Sequence, residues 1–467
     1  MKKKIINISV YIFLLVFFFF SLFVNVKFNN VSFEQLIYSC TNSKGANYFI
    51  VVEGLIFLLI NILIFNLIVF ILFKVIKKKL NKYINIIFLI VILLSSFKLL
   101  NIDSYIINRI NKTEIFDKYY VNPSDVEIKF PSKKRNLIYI YVESLEMSSA
   151  SIKNGGNVEK SYIPNLEKLA LENINFSNKE KLGGALNLSN TDWTIAALIA
   201  QTTGVPLKFD VSRNYDFSMK GVTALGDILK ENGYNNYFMV GSDSSFGGRK
   251  DYFKFHGNYT IYDYITAKDE KLISDDYFVW WGYEDNKLFD FAKDKIIEIE
   301  KEEEPFNFTI LTVDTHFTDG YIDKSCDLKF DSKYANSFYC SDSIINEFIN
   351  WLKKQDFYDN TTVIITGDHL TMQSNFYKNK NYERTVYNTF INTDIKPIKE
   401  KNRLFTTLDM FPTTLASLNV KIEGNKLGLG VNLFSKEKTL VEKLGYEKVE
   451  NELLKKSNYY NKLVKEK

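Results

Sequence analysis

The chain has 467 residues and is 46% hydrophobic and 15% aromatic, with a formal net charge of +4 at pH 7. This composition excludes intrinsic disorder and leaves room for two or three domains. A net charge this small for the length gives no indication of nucleic-acid binding, and we expect no nucleic-acid partner.

Three long apolar runs lie in the first hundred residues, and each is close to the ~20 residues that a helix needs to cross a bilayer. We predict three transmembrane helices, at 5–26, 48–73 and 84–100, in a membrane anchor formed by residues 1–100. The first run is too long for the apolar part of a signal peptide, and no small-residue cleavage pattern follows it. We therefore expect it to be an uncleaved anchor.

Lysines flank these runs unevenly. Lys2–Lys4 precede the first run, and five lysines lie from Lys74 to Lys82, between the second and third runs. The segment between the first two runs carries only Lys27 and Lys44. The positive-inside rule places both basic segments in the cytoplasm. The prediction is a multi-pass membrane protein in which everything after Leu100 is extracytoplasmic.

After the anchor, residues 101–134 are mixed and polar, and we interpret them as a juxtamembrane linker to a globular domain at 135–467. In that domain, continuous apolar runs rich in β-branched and aromatic residues alternate with helical patterns. Such runs are typical of strands buried on both faces. They lie at Asn136–Val142, Asn236–Val240, Phe306–Val313 and Thr361–Thr366. Strands separated by helices predict a mostly parallel α/β sheet with flanking helices.

A polar stretch at Ser189–Asp192 precedes an apolar helical run that stops at Gly204. Ser, Thr, Asp and Asn are the usual N-cap residues, so the ordinary role for Thr191 is to cap this helix. The positive end of a helix also favours phosphate. The hydroxyl of Thr191 is therefore a candidate for chemistry as well as for capping.

Polar residues follow three of the predicted strands at their carboxyl ends, where ligands bind in open α/β sheets. Glu143 follows the first strand, Asp314–His316 the third, and Gly367–His369 the fourth. Taken singly, each fits a structural role such as a cap or a turn. Together, two carboxylates and an imidazole at one sheet edge form a ligand set that suits Mn²⁺, Mg²⁺ or Zn²⁺. Asp368 and His369 would supply two of these ligands at once.

Two of the three cysteines, Cys326 and Cys340, lie close together in the part predicted to be external. Oxidising conditions there permit a disulfide between them. Cys40 would remain unpaired.

Six segments carry a family resemblance and occur in this order: NLIYIYVES, NTDWTIAALIAQTTGVPL, SSFGGRKDYFKFHG, LTVDTHF, VIITGDH and LFTTLDMFPTTLASLNVKIEGNKLGLGVNLFS. Together they resemble the phosphoglycerol transferase and lipoteichoic acid synthase branch of the alkaline phosphatase/sulfatase superfamily. The resemblance covers residues 136–435 and the membrane anchor. It implies an alkaline-phosphatase-like α/β fold, and it is closer to the periplasmic phosphoglycerol transferases than to the lipoteichoic acid polymerases.

The resemblance also implies a set of site residues. The metal ligands that it implies are Glu143, Thr191, Asp368 and His369. They would hold one divalent ion. The expected ion is Mn²⁺, and Mg²⁺ and Zn²⁺ are the alternatives. Thr191 would be the nucleophile, Arg249 and His316 would contact the phosphate and assist catalysis, and Trp193 would contact the substrate.

The implied activity is transfer of glycerol phosphate from phosphatidylglycerol to a hydroxyl of an extracytoplasmic glycan, through a covalent phospho-threonine. The implied partners are this donor lipid, a polysaccharide or glucan acceptor, and the bacterial inner (cytoplasmic) membrane, with the catalytic domain in the periplasm. The alternatives are a phosphoethanolamine transferase that acts on lipid A or a glycan, and a sulfatase-like hydrolase. A membrane-anchored binding protein without turnover is the non-enzymatic alternative.

Overall fold

The computed structural model describes residues 2–28, 31–45, 48–75, 78–209, 219–373 and 375–465. Two compact units divide the chain. The first is Met1–Thr41 with Ala46–Asn111, and the second is Asn42–Gly45 with Lys112–Lys467.

Helices form most of the described part of the first unit. They are α1 (Lys2–Phe28), α2 (Phe33–Thr41), α3 (Tyr48–Val75), α4 (Lys78–Leu99) and α5 (Ile102–Ile110). Leu15 and Phe19 of α1 pack against Ile92 of α4. The ammonium of Lys27 lies 2.8 Å from a carboxylate oxygen of Glu53, which joins α1 to α3.

Two segments of these helices are long and apolar enough to cross a bilayer, Ser9–Phe28 and Phe49–Ile71. A third span exists only if Ile86–Leu99 and Ile102–Ile110 count as one, and these two helices are bent by 68°. The chain turns between them at Asn101, whose φ is 54°. The predicted count of three transmembrane helices is therefore not confirmed, because among the described residues the third segment reaches the length of a span only together with the helix beyond the bend.

The second unit contains strands and helices in alternation. Its strands are β1 (Ile128–Lys129), β2 (Asn136–Val142), β3 (Asn235–Val240), β4 (Thr260–Tyr262), β5 (Phe306–Leu311), β6 (Thr361–Gly367), β7 (Asn388–Ile391), β8 (Lys421–Ile422), β9 (Lys426–Leu427) and β10 (Gly430–Val431). Its helices are α6 (Ile115–Tyr119), α7 (Pro164–Glu172), α8 (Thr194–Thr203), α9 (Leu225–Glu231), α10 (Arg249–Phe255), α11 (Tyr264–Asp269), α12 (Asp285–Glu300), α13 (Lys333–Leu352), α14 (Met410–Ser417), α15 (Leu440–Leu444), α16 (Tyr446–Leu454) and α17 (Asn458–Leu463).

Six of these strands form the central sheet in the order β4-β3-β5-β2-β6-β7. All neighbouring pairs in it are parallel except β6 and β7, which are antiparallel. The prediction of a mostly parallel α/β sheet is therefore confirmed. The register places Tyr141 of β2 opposite both Leu311 of β5 and Thr366 of β6, so these three strands end at one level.

Both faces of the central strand β2 are covered, as its uninterrupted apolar sequence predicts. All seven of its residues are buried. Ile138 and Ile140 belong to the core that includes residues of α7, α12 and α13. Tyr139 points to the other face, where its hydroxyl donates a hydrogen bond to Gln201 of α8 at 3.3 Å. The helix α8 thus packs on the sheet beside the strand that leads to Glu143.

A disulfide joins Cys326 to Cys340, across a sequence separation of 14 residues. Closing a loop of this length stabilises a fold by about 3 kcal/mol, because the link restricts the unfolded chain. We expect Cys326→Ser to lower the free energy of unfolding by about this amount in a denaturant titration of the detergent-solubilised chain. The matched control is Cys40→Ser, which replaces an exposed free cysteine. Equal stability of the two variants would contradict the prediction.

Candidate active site

Three of the predicted metal ligands lie together at the carboxyl ends of β2 and β6. Glu143 directly follows β2, and Asp368 and His369 directly follow β6. The two strands pair in parallel with Val142 opposite Gly367, so the residues that follow them lie side by side. One ligand atom from each of the three side chains lies within 4.8 Å of the other two. This group of three is called the ligand cluster below.

The glycine before Asp368 allows this close approach. A Cβ on Gly367 would lie 1.8 Å from the carbonyl oxygen of Leu145. Any side chain at this position would push the end of β6 away from the turn that follows β2. That turn passes through Ser144, whose φ of 57° is in the left-handed region. The glycine in the sequence GDH is therefore a steric requirement of the ligand cluster.

Backbone amides hold one oxygen of Asp368 and leave the other available. The N–H groups of Ser144 and His369 each donate to Oδ1 of Asp368 at 2.7 Å. Its Oδ2 is buried and accepts no hydrogen bond from the described residues. Glu143 accepts a hydrogen bond from the hydroxyl of Ser144 at 2.7 Å. A buried carboxylate oxygen without a partner is costly unless a cation or a donor occupies the space beside it.

The imidazole of His369 is oriented in the way that metal-binding histidines are. Its Nδ1–H donates to the carbonyl oxygen of Leu370 at 2.9 Å. This bond selects the tautomer in which Nε2 carries a lone pair. Nε2 lies 3.3 Å from Oδ2 of Asp368 and 3.5 Å from Oε1 of Glu143. The unpartnered oxygen and the imidazole lone pair therefore face the same space.

The charges in this space favour a cation. Burial, and then the neighbouring Glu143, raise the pKa of Asp368 to about 7. Burial acts in the same direction on Glu143, but His316 and His369 outweigh it and lower the pKa of that carboxyl. A divalent cation would supply the positive charge that two adjacent buried carboxylates need. One carboxylate oxygen of Glu143, the unpartnered Oδ2 of Asp368 and Nε2 of His369 together fit a divalent metal ion.

The structure brings Thr194, and not Thr191, to the ligand cluster. The hydroxyl of Thr194 donates to Oε2 of Glu143 at 3.3 Å and lies 3.5 Å from Nε2 of His369. The hydroxyl of Thr191 is fully buried and donates to the carbonyl oxygen of Leu188 at 2.8 Å. The hydroxyl predicted for the metal site is therefore bound within its own loop, and the hydroxyl three residues later takes the predicted place.

The reason for this difference is local. The polar residues before the helix form a turn, in which Asn190 has a φ of 62° and the N–H of Thr191 donates to Leu188 at 3.2 Å. Short polar side chains bond readily to nearby backbone in this way. The helix α8 begins only at Thr194, and its N-cap is Trp193 in an extended conformation. The sequence pattern placed the cap at the polar residues that precede the apolar run. It could not show that these residues form a turn of their own before the helix begins.

Arg249 lies at the start of α10 and is 5% exposed. Its Nε donates to the carbonyl oxygen of Phe246 at 2.9 Å, and one Nη donates to Ser242 Oγ at 3.1 Å and to the carbonyl oxygen of Asp243 at 2.7 Å. Among the described residues, no acceptor lies within hydrogen-bond distance of the other Nη. Burial lowers the pKa of Arg249 to about 10, so the side chain remains cationic at neutral pH. The charge of Glu143 opposes this lowering.

His316 lies in the loop after β5 and faces the same site. Its Nδ1–H donates to the carbonyl oxygen of Phe317 at 2.6 Å, which leaves Nε2 as an acceptor. Burial lowers the pKa of His316 and favours the neutral ring. The ring of Trp281 packs against this imidazole, with centroids 4.7 Å apart. Trp193 is 6% exposed and directly precedes Thr194 as the N-cap of α8.

Asp285 fixes the backbone just before His316. Its two carboxylate oxygens accept hydrogen bonds from the N–H groups of Val313, at 2.8 Å, and Asp314, at 3.2 Å. The N–H of Asp285 donates in return to the side chain of Asp314 at 3.0 Å. These bonds replace the sheet bonds and explain why β5 ends before Val313. The sequence gave no indication of this role, because acidic residues are common in the first turn of any helix.

Three kinds of comparison bear on this site. The sulfatase family model matches residues 135–420, which is more than half of the chain. The matched segment includes the ligand cluster, Thr194, Arg249 and His316.

Among similar proteins, phosphoglycerol transferase I from Escherichia coli O6:K15:H31 (strain 536 / UPEC) is 33% identical over 353 residues. Phosphoglycerol transferase I from Shigella boydii serotype 18 (strain CDC 3083-94 / BS512) is 32% identical over the same length. Each match covers 70% of this chain and 44% of the relative. The chain thus spans less than half the length of these relatives.

Among solved structures, the lipoteichoic acid synthase LtaP from Listeria monocytogenes matches with a TM-score of 0.52 and 19% identity, over 69% of this chain and 81% of that one. A protein of the alkaline phosphatase superfamily from Vibrio parahaemolyticus matches with a TM-score of 0.51 and 21% identity, over 66% of this chain and 74% of that one. These likenesses show an alkaline-phosphatase-like fold.

Proposed function

The chain belongs to the sulfatase family, and from that premise we propose that it is a membrane-anchored phosphotransferase that moves glycerol phosphate from phosphatidylglycerol to a hydroxyl of an extracytoplasmic glycan. The observation that carries the proposal is the position of the Thr194 hydroxyl, 3.3 Å from Glu143 at the edge of the ligand cluster. The relatives named phosphoglycerol transferase I support the choice of donor.

In the first half of the reaction, Thr194 is the nucleophile. A divalent ion held by the ligand cluster would lower the pKa of a hydroxyl beside it and polarise a phosphoryl oxygen. Oγ1 of Thr194 forms a bond to phosphorus, and the bond from phosphorus to the diacylglycerol oxygen breaks. Diacylglycerol leaves with a proton, and glycerophospho-threonine remains. A covalent intermediate of this kind divides one difficult displacement into two easier ones.

In the second half, the acceptor hydroxyl attacks the same phosphorus, and the threonine oxygen leaves and takes up a proton, which restores the Thr194 hydroxyl. Nε2 of His316 is the acceptor for the proton of the incoming hydroxyl, because the bond from Nδ1–H to Phe317 leaves that nitrogen unprotonated. Arg249 offsets negative charge on the phosphoryl oxygens with its available Nη, since phosphoryl transfer depends on positioning and electrostatics. We assign the aromatic contact with the substrate to Trp281, which packs on His316, and only a supporting role to the buried Trp193.

The anchor and the ion belong to the same proposal. We propose residues 1–100 as the membrane anchor, 101–134 as the linker and 135–467 as the catalytic domain, on the periplasmic side of a bacterial inner membrane. The donor lipid then lies in the leaflet that the catalytic domain faces. Mn²⁺ is the proposed ion, because an imidazole and two carboxylates suit it, and Mg²⁺ and Zn²⁺ are the alternatives.

The test is intact-protein and peptide mass spectrometry on the purified chain with Mn²⁺, incubated separately with phosphatidylglycerol and phosphatidylethanolamine. We expect a glycerophosphate adduct on the peptide that contains Thr194, and only with phosphatidylglycerol. An ethanolamine-phosphate adduct at the same residue would move the function to phosphoethanolamine transfer. Lipid headgroup released to water, unchanged by added glycan, would identify a hydrolase instead.

A further inference from the structure

The loop that leads to Thr194 is bound by a helix near the end of the described chain. Glu450 of α16 accepts hydrogen bonds from the N–H of Ser189, at 3.0 Å to Oε2, and from the hydroxyl of Ser189. One turn earlier on the same helix, the hydroxyl of Tyr446 donates to the carbonyl oxygen of Asn187 at 2.7 Å. Both contacts fall on the segment just before the turn that presents Thr194.

The other end of α8 is bound by the same part of the chain. The hydroxyl of Tyr460, in α17, donates to the carbonyl oxygen of Pro206 at 2.9 Å and accepts from the N–H of Lys208 at 2.9 Å. The ammonium of Lys208 donates to the carbonyl oxygen of Lys455. We call Tyr446, Glu450, Lys455 and Tyr460 the C-terminal clamp.

The two bound flanks also meet each other. The N–H of Leu207 donates to the carbonyl oxygen of Asn190 at 2.9 Å. Between the flanks, α8 is a buried helix whose residues from Ile195 to Thr203 have almost no exposed surface. A helix behaves as a rigid element, so restraint at both of its ends fixes the position of its first residue.

From these contacts we propose that the C-terminal clamp sets the position of the Thr194 hydroxyl relative to the ligand cluster, with Glu450 as a positioning residue. This inference rests on the proposed role of Thr194 as nucleophile. The family match ends at residue 420, so the clamp lies outside the segment on which the family assignment depends. A charged acceptor that binds both the N–H and the hydroxyl of one serine is a strong and directional restraint.

The first test is kinetic and uses the full chain in phosphatidylglycerol-containing detergent micelles. We expect Glu450→Ala to lower kcat for headgroup release by about 10- to 100-fold, the range expected from a misplacement of about 1 Å. KM for the lipid and the affinity for Mn²⁺ should change by less than about twofold, because neither depends on the exact position of the nucleophile. The matched control is Glu447→Ala, an exposed glutamate on the same helix.

A conservative variant separates positioning from a structural role. Glu450→Gln keeps an oxygen that accepts from the N–H of Ser189, so kcat should stay within about threefold of the wild type. Loss of kcat in Glu450→Ala together with loss of Mn²⁺ binding, or an equal loss in Glu450→Gln, would overturn the proposal. Wild-type kcat in Glu450→Ala would overturn it as well.

The second test does not require turnover, so it separates this inference from the proposed function. In hydrogen exchange of the Mn²⁺-loaded chain, Glu450→Ala should speed amide exchange in residues 187–195 at least about tenfold, with the central sheet unchanged. Unchanged exchange in that segment would overturn the clamp. If the segment loosens and the wild-type chain forms no lipid adduct, the clamp stands as a structural contact but the proposed positioning of a nucleophile fails with the proposed function.

Discussion

Replacement of Thr194 by alanine is expected to lower kcat for headgroup transfer by at least about 10³-fold, because the variant lacks the atom that forms the covalent bond to phosphorus. The measurement is steady-state headgroup release from phosphatidylglycerol by the full chain with Mn²⁺, together with the loss of the adduct by mass spectrometry. The fold should survive, since Thr194 is the first residue of α8 and alanine is a good helix former. Thr194→Ser retains a hydroxyl and should retain part of the activity.

The matched control is Thr191→Ala, which removes a hydroxyl from the same loop. The hydroxyl of Thr191 bonds to Leu188 and not to the ligand cluster, so its loss should cost about 1–2 kcal/mol of stability and leave the chemical step in place. Activity should then stay within about tenfold of the wild type, since the reacting groups are all present. The opposite pattern, with Thr191→Ala inactive and Thr194→Ala active, would return the nucleophile to the position that the sequence suggested.

Asp368→Asn is expected to weaken Mn²⁺ binding by at least about 100-fold, because the amide nitrogen replaces Oδ2 of the ligand cluster, which accepts no hydrogen bond from the described residues. The remaining amide oxygen still accepts from the N–H groups of Ser144 and His369, so the local structure should persist. Isothermal titration of the chelator-treated chain with Mn²⁺ measures the affinity. Without metal, the variant should be at least as stable as the wild type, because the substitution removes a charge next to Glu143.

The matched control for burial is Asp342→Asn. Asp342 is fully buried, but its carboxylate accepts hydrogen bonds from Asn165 and from the N–H of Leu166 at the start of α7, away from the ligand cluster. The Asp342→Asn variant should bind Mn²⁺ with the affinity of the wild type. In thermal unfolding, Mn²⁺ at about 100 times the dissociation constant should stabilise the wild type and this control by about 2.7 kcal/mol, and should not stabilise Asp368→Asn. Equal stabilisation of all three would exclude Asp368 as a ligand.

The sequence was most informative where the fold rests on local pattern. The strand β2 is continuous in apolar residues because both of its faces are covered, and its bounds agree with the prediction. Glu143, Asp368 and His369 could be placed together because parallel neighbouring strands end at one level, whatever the details of packing. The order of the strands in the sheet and the formation of the disulfide could be established only from the structure. The spacing of Cys326 and Cys340 had already suggested that they pair.

Where the structure differs from the predictions or leaves them open, the difference depends on geometry that a pattern does not encode. The turn at Asn190 bends the backbone back on itself and shifts the start of α8 to Thr194. The third predicted span, 84–100, ends where the chain bends at Asn101, and whether a third span exists depends on whether the two helices on either side of the bend count as one. Trp193 is buried as the N-cap of α8, and its expected contact with the substrate stays a prediction. In each case the missing information is a backbone conformation at one or two residues.

Ser144 and His369 donate to Asp368, and His369 donates to Leu370. All three bonds join groups of the protein, and they orient Asp368 and His369 toward the same space. In the proposed orientation, with the domain outside the cytoplasm, the ion that the ligand cluster holds would come from the extracytoplasmic compartment.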